Sequence, residues 1–171
     1  GVNYEEAIYE GYGPGGVALY IECLTDNRNR TVSEVRHILT KHGGSMGEAG
    51  SVAWMFTAKG QLYIDAAKYD EEAVFLTASE LGAEDVVSEN DLHVVTTAVE
   101  DLHRVKEGLE NQGIEVKETE MVKVPGSTID LDENDAAKAM RLMEALEDSE
   151  DVQQVSSNFD ISDEVLAKLE Q

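Results

Sequence analysis

Apolar and polar positions along the chain predict a mixed α+β protein. Residues 15–26, GGVALYIECLTD, form a nearly unbroken apolar run that reads as a buried strand, preceded by a glycine-rich loop. In residues 31–44 the period changes. Val32, Val35, Ile38 and Leu39 make one helical stripe, Thr31 and Glu34 have capping-box spacing, and Gly43-Gly44 supplies a stop. In residues 50–67, Val52, Trp54 and Phe56 alternate with Ala53 and Met55, which predicts a hairpin turning at Ala58-Lys59-Gly60 with Trp54 in the core. Helical spacing returns at 70–82, 99–112 and 132–147, the last with Ala136, Met140, Met143 and Leu146 facing inward. Strands are predicted at 84–88, 92–97, 114–124 and 152–160, and residues 162–171 form a short acidic amphipathic tail.

The resulting order, βαββ then αββαβ then αβ, fits two small ferredoxin-like α/β domains, whose motif is βαββαβ. The first would comprise residues 1–67 completed by 127–171, and the second, 68–126, would be inserted within it. A side-by-side split near residue 70 is the alternative.

Charge sharpens this picture. Thirty-six acidic residues against 13 basic ones give a formal net charge of −23. Taken whole, so acidic a surface repels phosphate backbones. Yet residues 27–60 carry Arg28, Arg30, Arg36, Lys41 and Lys59 against Glu34 and Glu48. TDNRNRT, residues 25–31, places two arginines in the turn before the first predicted helix, and Arg36 and Lys41 fall off that helix's apolar stripe. Together they can form one positive face beside the glycine loop, suited to phosphate contacts. The competing reading pairs Arg28 or Arg30 internally, for instance with Asp26 or Glu48. Trp54, if exposed, would instead offer a platform for stacking bases.

Other chemistry is thinly represented. Gly11, Gly13 and Gly16 have G-x-G-x-x-G spacing, but the loop precedes a strand rather than opening a helix, as a dinucleotide site requires. DLDEND, residues 130–135, lacks the glycine and the distal acid of a calcium loop and reads as a helix start capped by Asp132. His37 and His42 are five apart and no ligand set completes them, so neither metal nor cofactor is expected. The single cysteine, Cys23, sits in an apolar strand and reads as a small hydrophobe, compatible with a reducing compartment. No nucleophile elbow, zincin motif or P-loop is present, and a non-catalytic protein is expected. No apolar run approaches the roughly 20 residues needed to span a bilayer.

The blocks EGYGPGG, TDNRNRT, EVRH, KHGG and GSVAWMF follow one another within residues 10–56. In that order they closely resemble the YebC/PmpR family, which includes a mitochondrial translational activator of cytochrome oxidase subunit one. A looser likeness continues to the end of the chain. The resemblance implies a bacterial cytoplasmic regulator of gene expression, matched over its second and third domains, with a basic helical domain ahead of them. It implies association with the ribosome, with rRNA or tRNA as partner, and relief of stalling at stretches such as consecutive prolines. DNA-directed transcriptional regulation, mainly through the preceding domain, is the alternative. On motif matches the resemblance points to Tyr12, Gly13, Gly15, Arg28, Arg30 and Arg36 as the nucleic-acid contact, and Lys41 joins them from the positive helix face.

Overall fold

The computed structural model describes residues 2–170, which divide into two compact units. One runs through Thr57 and resumes at Val124; the other is Ala58–Lys123.

The first unit begins with a strand that the apolar pattern does not announce. Residues Glu5–Tyr12 (β1) read EEAIYEGY, polar enough to pass for a loop. They nevertheless pair along their whole length with Ala18–Thr25 (β2), antiparallel, from Glu5 opposite Thr25 to Tyr12 opposite Ala18. The loop Gly13–Val17 closes this hairpin. The helix Arg28–Lys41 (α1) follows, then Ser45–Met46 (β3), which pairs with the outer edge of β1. After the second unit come Ile129–Asp130 (β8), Glu133–Glu147 (α4), Val152–Ser157 (β9), Phe159–Asp160 (β10) and Asp163–Leu169 (α5). The sheet order is β3-β1-β2-β9. Alternation along β1 and β2 sends Ala7, Leu19, Ile21 and Cys23 to one face, where Val35 and Leu39 of α1 and Leu142 and Leu146 of α4 close the core. The other face carries Glu6, Ile8, Glu10, Tyr20, Glu22 and Leu24. Two short parallel strands, β8 and β10, and α5 cover the far side of α4 through Leu131, Ala136, Val165 and Leu169.

The second unit is built from Phe56–Asp65 (β4), Glu71–Glu80 (α2), Asp85–Glu89 (β5), Leu92–Ala98 (β6), Leu102–Asn111 (α3) and Glu118–Pro125 (β7). The start of β4 and the end of β7 belong to the first unit. The order βαββαβ and the sheet order β5-β6-β4-β7 are those of a ferredoxin-like fold. Leu62, Ile64, Val74, Val95, Val105 and Leu109 fill the core.

Four expectations need correction. The hairpin at 50–67 is absent. Ala53–Met55 make one 3-10 turn that breaks the alternation, and β4 runs straight through Ala58-Lys59-Gly60 to pair with β6. Gly60 is small because a Cβ there would meet Leu102 and Thr97, not because the chain turns. Trp54 is consequently outside the core, 74 % exposed, while Val52 is buried. The first helix begins at Arg28, capped by Asn27, whose side chain accepts from the Arg30 amide at 3.1 Å. Thr31 is buried within that helix and forms no capping box. On α4 the buried stripe is Ala136, Ala139, Leu142 and Leu146, and Met140 is exposed.

Candidate nucleic-acid interface

The helix α1 lies along the hairpin β1–β2, so its two ends fall at the two ends of the sheet. At 14 residues it is about 20 Å long. Arg28 and Arg30 occupy its first turn, beside Glu5 and Thr25 at the open end of the hairpin. Lys41 occupies its last turn, beside the glycine loop. The seven residues expected to act together are therefore divided: Tyr12, Gly13, Gly15 and Lys41 share the loop end, with Arg36 further up the helix, and Arg28 and Arg30 lie at the opposite end.

Neutralising partners sit at the Arg30 end. The Arg30 guanidinium meets Asp26 at 2.7 Å and Asp151 at 3.0 Å. These two hydrogen-bonded carboxylates, Asp26 first, hold the guanidinium's pKa above its ordinary value. Asp151 is buried and also accepts from the Thr31 hydroxyl at 2.7 Å, which lies 2.6 Å from the Thr25 hydroxyl. Next to them Ser149 donates to Glu34 at 2.8 Å. Burial first, then the charges of Asp151 and Glu34, pushes the Cys23 thiol up to about 11, which leaves it protonated and inert at neutral pH. Arg28 reaches Glu5 at 3.8 Å across exposed side chains. This end is a polar lock between α1, β2 and the chain entering β9.

The loop end is built differently. Gly13 donates to the Val17 carbonyl at 2.9 Å and Gly16 to that of Gly13 at 3.0 Å. Gly15 has φ of +79°, and a Cβ on it would strike Leu131. The end of α1 rests on this loop: Gly44 donates to the Leu39 carbonyl at 2.7 Å, and a Cβ on Gly44 would collide with the Tyr12 carbonyl oxygen. Here Lys41, His42 and Gly43 face Lys138 and Arg141 of α4 across a cleft of about 230 Å³. Among the described residues, Lys41, Lys138 and Arg141 form no ion pair. Arg36 contacts the Met46 sulfur at 3.7 Å, over β3.

From this cleft the chain runs along the edge of β1 to a second ordered loop. The Gly47 amide donates to the Glu10 carbonyl at 2.8 Å. The Glu10 carboxylate, 5 % exposed, accepts from the amides of Gly50, Val52 (2.9 Å) and Ala53 (2.6 Å). Burial alone would raise its pKa, but the three donors outweigh burial and hold it below the usual carboxylate range. The loop they shape ends in Trp54, whose indole N–H donates to the Ser51 carbonyl at 3.0 Å.

Sequence comparison adds what geometry leaves open. The family described as TACO1/YebC second and third domain matches residues 4–159. The chain belongs to that family. A probable transcriptional regulatory protein of Persephonella marina is 50 % identical over 171 residues, 99 % of this chain and 68 % of the relative. One from Acidithiobacillus ferrooxidans is 52 % identical over 170 residues, with the same shares. The crystal structure of a conserved hypothetical protein from Aquifex aeolicus matches with a TM-score of 0.91 at 46 % identity, covering 97 % of this chain and 69 % of that one. Family membership thus accounts for the pair of α+β units.

Sequence reasoning missed Lys138, Arg141 and Glu10. The first two carried a signal: they are a basic pair three apart on one helix of an acidic segment. Glu10 carried none, because a glutamate in a polar strand gives no hint of burial. Among the described residues no group of His, Cys, Asp and Glu could hold a metal ion, and no helix is long and apolar enough to cross a membrane.

Proposed function

We propose that this chain is a non-catalytic regulator of gene expression that acts on RNA, as a ribosome-associated translation factor relieving stalling at stretches such as consecutive prolines. The observation that carries the RNA contact is the cleft of Lys41, Lys138 and Arg141, unneutralised in a chain of net charge −23 and set against the glycine loop. Three cations held close together repel one another, and a phosphate backbone relieves that repulsion while releasing counterions. Acidic surfaces elsewhere discourage adventitious nucleic acid. Tyr12, Gly13 and Gly15 belong to the neighbouring turn, on which the end of α1 rests, and Arg36 adds a further cation on α1. Arg30 acts as a structural residue, held by Asp26 and Asp151, while Arg28 makes only an exposed pair with Glu5.

The names of the relatives favour a second reading, transcriptional regulation through DNA. On that reading the helical domain that precedes these two in the family supplies most of the contact. On the exposed side of α1, Arg30 is engaged by Asp26 and Asp151, which leaves Arg28, Asn29 and Arg36 to contact base edges on that reading. Cosedimentation with purified ribosomes at two salt concentrations separates the readings. Salt-sensitive pelleting that disappears in Lys41→Ala/Lys138→Ala/Arg141→Ala supports the first. Failure to pellet, with retention on promoter DNA under nonspecific competitor, sinks it and favours the second.

A further inference from the structure

We propose that Trp54 is a stacking platform for an unpaired nucleobase, so that the ligand read at the loop end is single-stranded RNA or an unpaired RNA terminus. The inference rests on the RNA reading of the cleft and adds to it the chemical form of the ligand.

A single exposed apolar side chain is ordinary on a protein surface. Trp54 differs in how it is held. Its backbone is pinned on one side by the three amide donors to the buried Glu10 carboxylate. On the other side the Met55 carbonyl accepts from the Gly126 amide at 3.0 Å, and the Phe56 ring packs against Tyr20 with centroids 6.1 Å apart. The indole N–H is already bonded to Ser51, which orients the ring, and the side chain is largely exposed. A rigid exposed indole pays little ordering entropy when a flat ring stacks on it.

Charge and position select the occupant. The turn of residues 43–47 connects the basic cleft to this loop along the edge of β1. Gly44 lies against Tyr12, and the amides that shape the Trp54 loop bind Glu10, two residues along the strand and about 7 Å away. The amides that bind Glu10 place the Trp54 loop on the sheet face opposite α1 and α4, so an RNA strand with a phosphate in the cleft reaches Trp54 by passing round the β1–β2 turn. Glu6 and Glu22, further along the same sheet face, confine that strand to this end. Duplex RNA keeps its bases stacked inside the helix and offers none to the indole; single strands, loops and ends do.

The test uses the single tryptophan of this chain as its own reporter. The chain is titrated with a short single-stranded oligoribonucleotide, the same oligomer lacking its bases, and its fully paired duplex, while indole fluorescence and an independent anisotropy signal are followed. Strong quenching by the single strand, with little by the abasic strand or the duplex, is expected. Trp54→Ala should weaken single-strand binding roughly five- to a hundredfold, the worth of one stacked base, and Trp54→Phe should recover most of it. Binding of the three ligands alike, or Trp54→Ala binding as tightly as the parent, overturns stacking. If that unchanged binding still disappears in Lys41→Ala/Lys138→Ala/Arg141→Ala, the phosphate reading survives alone. Absence of any salt-sensitive RNA binding by the parent overturns both.

Discussion

The two ends of α1 hold cations in opposite states. At the first turn Arg30 is closed between Asp26 and Asp151, and Asp151 is buried. At the last turn Lys41 faces two further cations across an open cleft. The same residue chemistry serves architecture at one end and is left available at the other. A cation's role is set by whether carboxylates have been folded against it. The motif that carries more arginines is the less available one.

The strongest way to break this comparison is to exchange the ends' expected losses. Lys41→Ala/Lys138→Ala/Arg141→Ala should reduce RNA or ribosome affinity roughly a hundredfold at low salt and lower the salt slope by about three, one for each phosphate no longer neutralised. Its unfolding midpoint should stay near that of the parent, because these side chains are exposed. Arg28→Ala/Arg30→Ala should do the reverse, with the salt slope unchanged. If the second variant loses binding and the first does not, the two ends have been assigned the wrong way round.

The lock can be probed from its buried side. Asp151→Ala removes one acceptor from the Thr31 hydroxyl, which keeps the Asn27 carbonyl, and one from the Arg30 guanidinium, which keeps Asp26, and such losses cost about 2 kcal/mol. A denaturant titration should show the midpoint falling with the slope preserved, while RNA binding per folded molecule holds. An unchanged midpoint would mean that the network contributes nothing net.

Why the two ends look alike in sequence follows from the range over which their partners act. The helix stripe of α1, the αββαβ run of the second unit and the strand β2 depend on local periodicity and are legible in the sequence, whereas that unit's opening strand β4 is disguised as half of a hairpin. Asp151 lies 121 residues from Arg30, and Lys138 lies 97 from Lys41, so neither the closure nor the cleft could be read from neighbours. Strand β1 is hidden in the sequence because one of its faces is polar and its edge is completed by only two residues of β3. Trp54 misleads because alternation with Val52 and Phe56 is a strand signal, whereas amide donors gathered by Glu10 bend the backbone into a loop before the strand begins.

That Glu10 contact gives a smaller, pH-dependent effect at the loop end. Its folded pKa is depressed, so the stability it contributes is fully present above the ordinary glutamate value of 4.5 and is lost as pH falls through the folded value. Trp54 emission should therefore shift toward that of the released loop in acid, before global unfolding. Glu10→Gln removes the charge from the three bonds and should cost about 1–2 kcal/mol. It should also flatten that acid transition and weaken base stacking while leaving the salt slope intact. A transition of the same size in Glu10→Gln would assign it to another carboxylate.

The smallest effect is expected where the lock is only apparent. Arg28 and Glu5 approach to 3.8 Å with both side chains more than half exposed. Solvent screens such a pair, and holding two long side chains together costs rotamer entropy that offsets the attraction. Arg28→Ala alone should move the unfolding midpoint by less than about 0.5 kcal/mol equivalent and leave the salt slope of RNA binding as it was. A slope lowered by about one would show that Arg28 touches a phosphate. The boundary between the closed end and the open end would then fall within the first turn of α1, between Arg28 and Arg30, rather than along the length of the helix.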